Sequence, residues 1–287
     1  MSPVPAFFLE YQQRVDAELQ RLVPPDDGPV QQAMAYTVHA PSKRVRAVLT
    51  LLCAELCGGT VGRAVGVAAA MELVHASSLI LDDLPAMDDA PLRRGKRANH
   101  LAFGEAIAIL AAFGLLNLAY DVVARVYEPP LASSLTRLMT TAVGTDGLIG
   151  GQSADLLATD TQISFETLER IHRGKTGALF VASANAGALT AGAGNDQLQW
   201  LTAFAKNLGL AFQIIDDLLD VEGNPEETGK AIRADAKKTT FVFFSGVSGA
   251  RQLAGELCQT ADSALAPFGR RADKVRELSA FVAGRSL

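Results

Sequence analysis

Apolar positions recur with helical spacing along almost the whole of this chain, and the two-residue alternation expected of strands is scarce. Phe8–Val23 reads as an amphipathic helix stopped by Pro24-Pro25, and a second helix runs from Pro29 to Ala40. Arg46–Leu56 is strongly apolar and stops at Gly58-Gly59. Arg63–Leu81 is a long helix, after which Pro85 and Pro91 make Leu84–Asn99 a loop. Gly104–Tyr127 is helical as far as Pro129-Pro130, and Leu131–Ile149 as far as Gly150-Gly151. Phe165–Leu189 and Leu198–Val221 follow, then a polar loop over Gly223–Asp235, then helices at Gln252–Ala266 and Arg271–Val282. No linker, repeat or low-complexity tract divides the pattern. It predicts an all-α fold, a single domain over residues 1–287 with many helices around a deep central cavity, because acidic groups on distant helices need somewhere to converge.

Composition narrows the class. Of 287 residues 49% are hydrophobic, enough for a sizeable core, and the 20% that are charged are interspersed, which excludes global disorder. The net charge of -5 argues against a nucleic-acid partner. Cys53, Cys57 and Cys258 are an odd number in apolar helical contexts and read as reduced core residues, without disulfide or zinc spacing. Met1–Glu10 lacks a basic region followed by a long apolar stretch, so no signal peptide is expected. The most apolar long segment, Ala106–Ala124, contains Asn117 and Asp121 and reads as a buried core helix, not a transmembrane segment, which needs about 20 largely uninterrupted apolar residues. A cytoplasmic enzyme is the expectation.

The chemistry sits in two runs of paired aspartates within apolar sequence: Asp82, Asp83, Asp88 and Asp89 after Leu79-Ile80-Leu81, and Asp216, Asp217 and Asp220 after Phe212-Gln213-Ile214-Ile215. Half-buried carboxylates are costly unless a cation compensates them; two like charges about 4 Å apart repel by roughly 4 kcal/mol at an effective dielectric near 20. Oxygen-only ligands suit Mg²⁺, which keeps several waters and is commonly shared with phosphates. Asp216, Asp217 and Asp220 have i, i+3 and i+4 spacings that put them on one helical face. Asp82 and Asp88 can meet if the helix ends near Leu84 and the chain curls back. Carboxylates at a helix C-terminus oppose its dipole, which favours a functional reading. Two basic clusters accompany them. Arg93-Arg94-Gly95-Lys96-Arg97 follows the first run, and Lys43-Arg44-Val45-Arg46 opens an apolar helix, where a bound anion would explain the cations. Lys175-Thr176-Gly177 interrupts an apolar helix, either snorkelling or pointing into a polar cavity. His75, two turns before Asp82, is either a core residue or a binding one.

In this order and at these spacings, together with Glu72-Leu73-Val74-His75, Phe103-Gly104-Glu105, Gly151-Gln152 with Asp155-Leu156, and Gly209-Leu210-Ala211-Phe212-Gln213, the motifs resemble the trans-isoprenyl diphosphate synthases of the farnesyl and geranylgeranyl type. The resemblance runs from about Tyr36 to the C-terminus. It implies the isoprenoid-synthase bundle, usually a homodimer, and head-to-tail condensation of isopentenyl diphosphate with an allylic diphosphate. It implies that Asp82 and Asp88, supported by Asp83, and Asp216, with Asp217 and Asp220, hold three Mg²⁺ ions on the allylic diphosphate. Arg93, Lys175 and Lys230 would contact that diphosphate, with Lys238 as a further contact. Lys43, Arg46, His75 and Arg94 would hold isopentenyl diphosphate. Thr176 and Gln213 would stabilise the forming carbocation.

The chain also departs from the family pattern. Pro41-Ser42 replaces a Gly-Gly pair, Ala47 a proline, and Ala112-Phe113 a frequent Gly-Asp pair. The stretch between Asp235 and Lys238 is shorter than usual, and Thr240-Phe241-Val242 stands where Thr-Tyr-Pro is common, which puts the Lys238 role in question. A non-catalytic or regulatory partner subunit is the alternative within the same fold; intact aspartates argue against it. A terpene cyclase or squalene/phytoene-type synthase would not need Lys43, Arg46 and Arg94. For product length, Ser77 and Ser78 lie about one turn before Asp82, where family members that stop at farnesyl often have an aromatic plug. Their small size favours geranylgeranyl diphosphate over farnesyl diphosphate, with Val74, Met71 or Phe113 as the tunnel stop.

Overall fold

A computed structural model describes residues 5–25, 28–222 and 239–284. Lys230 and Lys238, and the Gly223–Asp235 loop, lie outside the described residues. The order is α1 (Ala6–Leu22), α2 (Pro29–Val38), α3 (Val45–Leu56), α4 (Val61–Asp82), a two-residue hairpin of β1 (Leu92–Arg93) and β2 (Lys96–Arg97), α5 (Asn99–Phe103), α6 (Glu105–Val126), α7 (Pro129–Val143), α8 (Leu148–Ala158), α9 (Phe165–His172), a π-helical turn (Arg173–Gly177), α10 (Ala178–Thr190), α11 (Asn195–Glu222), α12 (Phe241–Ala264), a 3₁₀ segment (Ala266–Ala272) and α13 (Asp273–Ala283). The fold is all-α, as the periodicity predicts.

Small side chains let the central helices close on one another. The inward face of α6 is Ala108, Ala111, Ala112, Leu115, Ala119, Val122 and Val123, all buried. Against it packs α4, whose Ala68, Ala69, Ala70, Met71, Leu73 and Val74 are buried. The helix α10 packs against α3 so closely that a Cβ at Gly187 would stand 1.9 Å from the Thr50 carbonyl oxygen. One buried core draws on helices from both ends of the chain, from Phe8 to Val282.

Several expectations need correction. The helix expected to end at Gly150-Gly151 instead breaks after Val143, and α8 runs straight through both glycines. A Cβ at Gly151 would lie 2.1 Å from the Lys175 backbone nitrogen, so this glycine serves a close helix-to-helix approach and terminates nothing. The Leu84–Asn99 loop contains the hairpin, whose turn residues Arg94 (φ 55°) and Gly95 (φ 74°) both have positive φ, the requirement of a type I′ turn. The single helix expected over Phe165–Leu189 is interrupted by the π turn. Residues 106–124 do not form a wholly buried helix: Leu110 is 52% and Phe113 64% exposed on its outer face. Phe113 therefore cannot stop a tunnel within its own subunit, because the alanine-rich face of α6 turns inward and Phe113 lies opposite. By length and composition α4 and α6 could each cross a membrane; most of α4 is buried in the bundle, and less of α6.

The close approaches yield a paired prediction. Gly187→Ala forces α3 and α10 apart and lowers stability by about 1–3 kcal/mol. Gly255→Ala, in the interior of α12 with nothing near the added Cβ, raises it by roughly 0.5–1 kcal/mol. Urea denaturation of the two variants beside the parent checks both signs.

Candidate active site

The first aspartate run ends α4 and folds back as the sequence suggested. The Asp88 amide donates to the Asp82 carbonyl at 2.9 Å and the Ala90 amide to the Asp83 carbonyl at 3.2 Å, so Asp88 is returned to the end of the helix. Burial raises the Asp82 carboxyl above the usual range; nearby Lys175 and Arg93 lower it, while Asp88 and Asp83 raise it. Asp83 is buried and belongs to a different job. It accepts from Arg93 Nε at 2.9 Å and also pairs with Arg93 Nη2. That ion pair fixes the guanidinium of β1 beside Asp82 and Asp88, whose charges help keep Arg93 protonated.

The second run lies on α11. Asp216 and Asp220 are half-buried, whereas Asp217 is buried and turned toward α12. The three do not share one open face. Asp217 Oδ1 accepts from Gln213 Nε2 at 3.1 Å, and Oδ2 accepts from the Phe241 amide at 3.0 Å. A carboxylate at the start of α12 satisfies a backbone donor that has no partner within the helix. Gln213 Oε1 in turn accepts from Thr176 Oγ1 at 2.9 Å. A continuous chain of hydrogen bonds thus fixes the amide orientation of Gln213 and joins the π turn, α11 and α12. Among the described residues no group of three His, Cys, Asp or Glu side chains converges into a ready-made metal cluster.

The π turn breaks the regular ladder at Lys175 and Thr176, an interruption often found at functional sites. Lys175 Nζ donates to Asp155 Oδ2 at 2.7 Å, which holds the lysine next to Asp82. Asp155 appears in the sequence among the quoted motifs, but its role as the lysine's partner was not legible there. One turn earlier on α8, buried Gln152 reaches Met87 of the aspartate loop, with Nε2 3.7 Å from the sulfur.

The basic residues gather at the start of α3. Arg46 is buried, its guanidinium 4.9 Å above the Phe180 ring and 5.8 Å from that of Phe212, with Nη1 3.4 Å from His75 Nε2. His75 is held well below the usual imidazole range by burial, then by Arg46, Arg94, Arg93 and Arg44. It is neutral at pH 7 and can accept from Arg46. Arg94 is pushed down to about 10, first by burial and then by Arg44, Arg93 and Arg46, against the opposing pull of Glu72. So many cations sharing so little solvent would suit a multiply charged anion. Lys43 is exposed, with its ammonium 5.5 Å over the Phe281 ring. Arg44, the middle residue of the motif, is a buried structural cation paired with Asp16 and Glu72. Of the four non-glycine residues with positive φ among the described residues, three, Arg44, Asp89 and Arg94, lie in these loops, where backbone strain tends to collect.

On α4, Ser77 is buried and donates to the Ala112 carbonyl of α6 at 2.8 Å, while Ser78 is half-buried and donates to the His75 carbonyl. Val74 is buried in the same interface.

Comparison with known proteins gives a consistent result. The polyprenyl synthetase profile matches residues 28–261. The chain is 40% identical to the farnesyl diphosphate synthase of Geobacillus stearothermophilus over 87% of its own length and 86% of the other's. It is 39% identical to the geranylgeranyl diphosphate synthase of Cyanophora paradoxa over 88% and 87%. Its fold superposes on the FPP/GFPP synthase of Zymomonas mobilis with a TM-score of 0.87, at 32% identity, covering 96% of this chain and 97% of that one.

The bonding of Asp217 gives it a structural role. Asp217→Ala leaves the Phe241 amide and the Gln213 side chain without their acceptor and lowers folding stability by about 2–4 kcal/mol. Thermal melting of the variant beside the parent, without ligand, checks this.

Proposed function

This chain belongs to the polyprenyl synthetase family and is a trans-prenyltransferase, and we propose that its main product is geranylgeranyl diphosphate, built from isopentenyl diphosphate and a shorter allylic diphosphate. The observation that carries the site assignment is the adjoining of two oppositely charged clusters. Arg93 belongs to both: it pairs with Asp83 near Asp82 and Asp88, and its charge is felt at His75 beside Arg46 and Arg94.

In this reading Asp82, Asp88, Asp216 and Asp220 hold Mg²⁺ on the allylic diphosphate, with three ions expected. Their oxygen-only chemistry fits the ion, and the raised Asp82 carboxyl is the mark of a site whose charge a cation would relieve. When bound, Mg²⁺ neutralises charge on the leaving diphosphate. Asp83 keeps Arg93, and Asp155 keeps Lys175, aimed at the same group. Lys230 is assigned to it by family resemblance alone. Arg46, Lys43, His75 and Arg94 hold the diphosphate of isopentenyl diphosphate, so its double bond lies beside the allylic carbon. The allylic C–O bond breaks and its electron pair leaves with the diphosphate. The isopentenyl double bond then attacks the allylic cation, a C–C bond forms, and a proton is lost to the departing pyrophosphate. Thr176 and Gln213 offer oxygen dipoles to the cation, held in place by Asp217.

The size of Ser77 and Ser78 supports the longer product, since no aromatic ring stands at either position. Val74 and Met71, buried one and two turns deeper on α4, are the proposed floor. A homodimer is supported by the outer face of α6, where exposed Leu110 and Phe113 form an apolar stripe that a second subunit would cover. Three free cysteines support a cytoplasmic location, where thiols stay reduced.

Two experiments test these assignments. Asp82→Ala or Asp216→Ala, or chelation of Mg²⁺ from the parent, lowers turnover of labelled isopentenyl diphosphate by about 100-fold or more with helical content retained; near-normal rates in either variant would falsify the metal assignment. For the product, the purified chain given isopentenyl diphosphate and each short allylic primer yields geranylgeranyl diphosphate. Ser77→Phe fills the space needed by the last isoprene unit and shifts the product to farnesyl diphosphate. A parent that stops at farnesyl, or a variant with an unchanged product, overturns the tunnel reading.

A further inference from the structure

The segment that carries Lys43 and Arg46 is gripped by helices from opposite ends of the chain. From α1, Gln12 Nε2 donates to the Ser42 carbonyl at 2.7 Å, and Asp16 Oδ1 accepts from Arg44 Nε at 2.9 Å. From α13, the buried Phe281 ring lies under the Lys43 ammonium, 5.5 Å from centroid to nitrogen. Phe8 of α1 packs on that same ring with centroids 5.1 Å apart, so the two terminal helices brace each other beneath the lysine. Tyr11, Glu55 and Lys274 close a second link between them, with Lys274 Nζ 2.9 Å from the Tyr11 hydroxyl and 3.2 Å from Glu55 Oε2.

Arg44 is the pivot. Its φ of 51° is left-handed, a conformation that side-chain-bearing residues avoid unless the surroundings impose it. Here they do: the side chain is buried, donates to the Val38 carbonyl, and pairs with Asp16 and, at 3.5 Å, with Glu72. The left-handed turn at Arg44 decides where Lys43 points before it and where α3 and Arg46 begin after it. Glu72 also accepts from the Ala47 amide at 3.3 Å, so one buried acid fixes both Arg44 and the first turn of α3. Asp16 and Phe281 both fall outside residues 28–261, the stretch matched by the family profile.

We propose that α1 and α13 set the affinity for isopentenyl diphosphate, with Asp16 acting through Arg44 and Phe281 acting through Lys43 as positioning residues. The inference rests on the assignment of Lys43 and Arg46 to that substrate. A lysine ammonium on a long flexible stem binds better when a ring restrains it, and a guanidinium held at two carboxylates keeps the strained turn from relaxing. Neither residue touches substrate, so the chemical step is not their concern.

The test is steady-state kinetics with both substrates varied, on Asp16→Asn, Phe281→Leu, Phe281→Tyr and Lys43→Ala, with melting temperatures taken alongside. Asp16→Asn and Phe281→Leu each raise the KM for isopentenyl diphosphate about fivefold, while kcat and the allylic KM stay within about twofold. Phe281→Tyr keeps the ring and keeps the parent KM. A purely structural role would move both KM values and the melting temperature together, and that result overturns the inference, as does an unchanged isopentenyl KM in Asp16→Asn and Phe281→Leu. Should Phe281→Leu unfold, Asp16→Asn decides alone, being nearly isosteric and partly exposed. If Lys43→Ala leaves the isopentenyl KM untouched, the site assignment itself falls and takes the inference with it. If Lys43→Ala raises that KM and the other variants do not, only the inference falls.

Discussion

Like charges held together out of water are the constraint on which this structure depends. Arg44, Arg46, Arg93 and Arg94 act on one half-buried histidine, and Asp82 is flanked by Asp83 and Asp88. Two like charges about 4 Å apart repel by roughly 4 kcal/mol at an effective dielectric near 20, against a total stability of about 5–15 kcal/mol for a typical domain. Part of the repulsion is offset internally, since Glu72 sits against Arg44 and Asp83 against Arg93. The remainder shows in Arg94, pushed down to about 10, and in the raised carboxyl of Asp82. A fold that tolerates this without a ligand gains when a ligand of the opposite sign arrives, an anion for one cluster and a cation for the other.

The scaffold answers that constraint with rigidity. Alanines line the α4–α6 contact, and Gly187 and Gly151 bring backbones nearer than any side chain would permit. Tight packing of this kind prevents the clusters from relaxing apart. The π turn then supplies a local irregularity, with Lys175 bound to Asp155 and Thr176 bound to Gln213. These polar groups occupy fixed positions because helices on several sides hold them.

Much of this was legible in the sequence, and the failures have identifiable causes. Helical periodicity gave α1 to α4 to within a few residues, since their apolar faces are long and their ends are marked by proline or glycine. It failed at Gly150-Gly151, because a glycine that permits a close approach looks the same in sequence as one that ends a helix. It did not reveal the π turn: Arg173–Gly177 breaks the apolar pattern, but a polar break does not say that the hydrogen-bond ladder shifts there. The curling back of Asp88 to Asp82 was foreseeable from the intervening proline. The inward turn of Asp217 was not, because i, i+3 and i+4 arithmetic says which residues are neighbours and not which neighbour a second helix covers. Phe113 failed for the same reason. Asp16 and Phe281 gave no signal, since their partners are distant in sequence and neither belongs to a motif.

The doubled aspartates are best understood through that asymmetry. In each run the first member of the pair, Asp82 or Asp216, is half-buried, and the second, Asp83 or Asp217, is buried. Adjacent helical residues point about 100° apart, so one carboxylate of a pair can stay half-exposed while the other turns into the protein. The buried residue then finds donors: Arg93 for Asp83, and Gln213 with the Phe241 amide for Asp217. Its function is to hold a neighbour that itself acts in the proposed chemistry, a guanidinium in one case and an amide in the other. Duplication of the residue is therefore not duplication of the ligand. In the proposed sites each run would supply one member of its pair and one carboxylate further along, Asp88 or Asp220, which is too few oxygens to strip a Mg²⁺ ion of its water. The proposed metal sites accordingly need the oxygens of the diphosphate to complete them, so ion and allylic substrate are expected to bind as a unit.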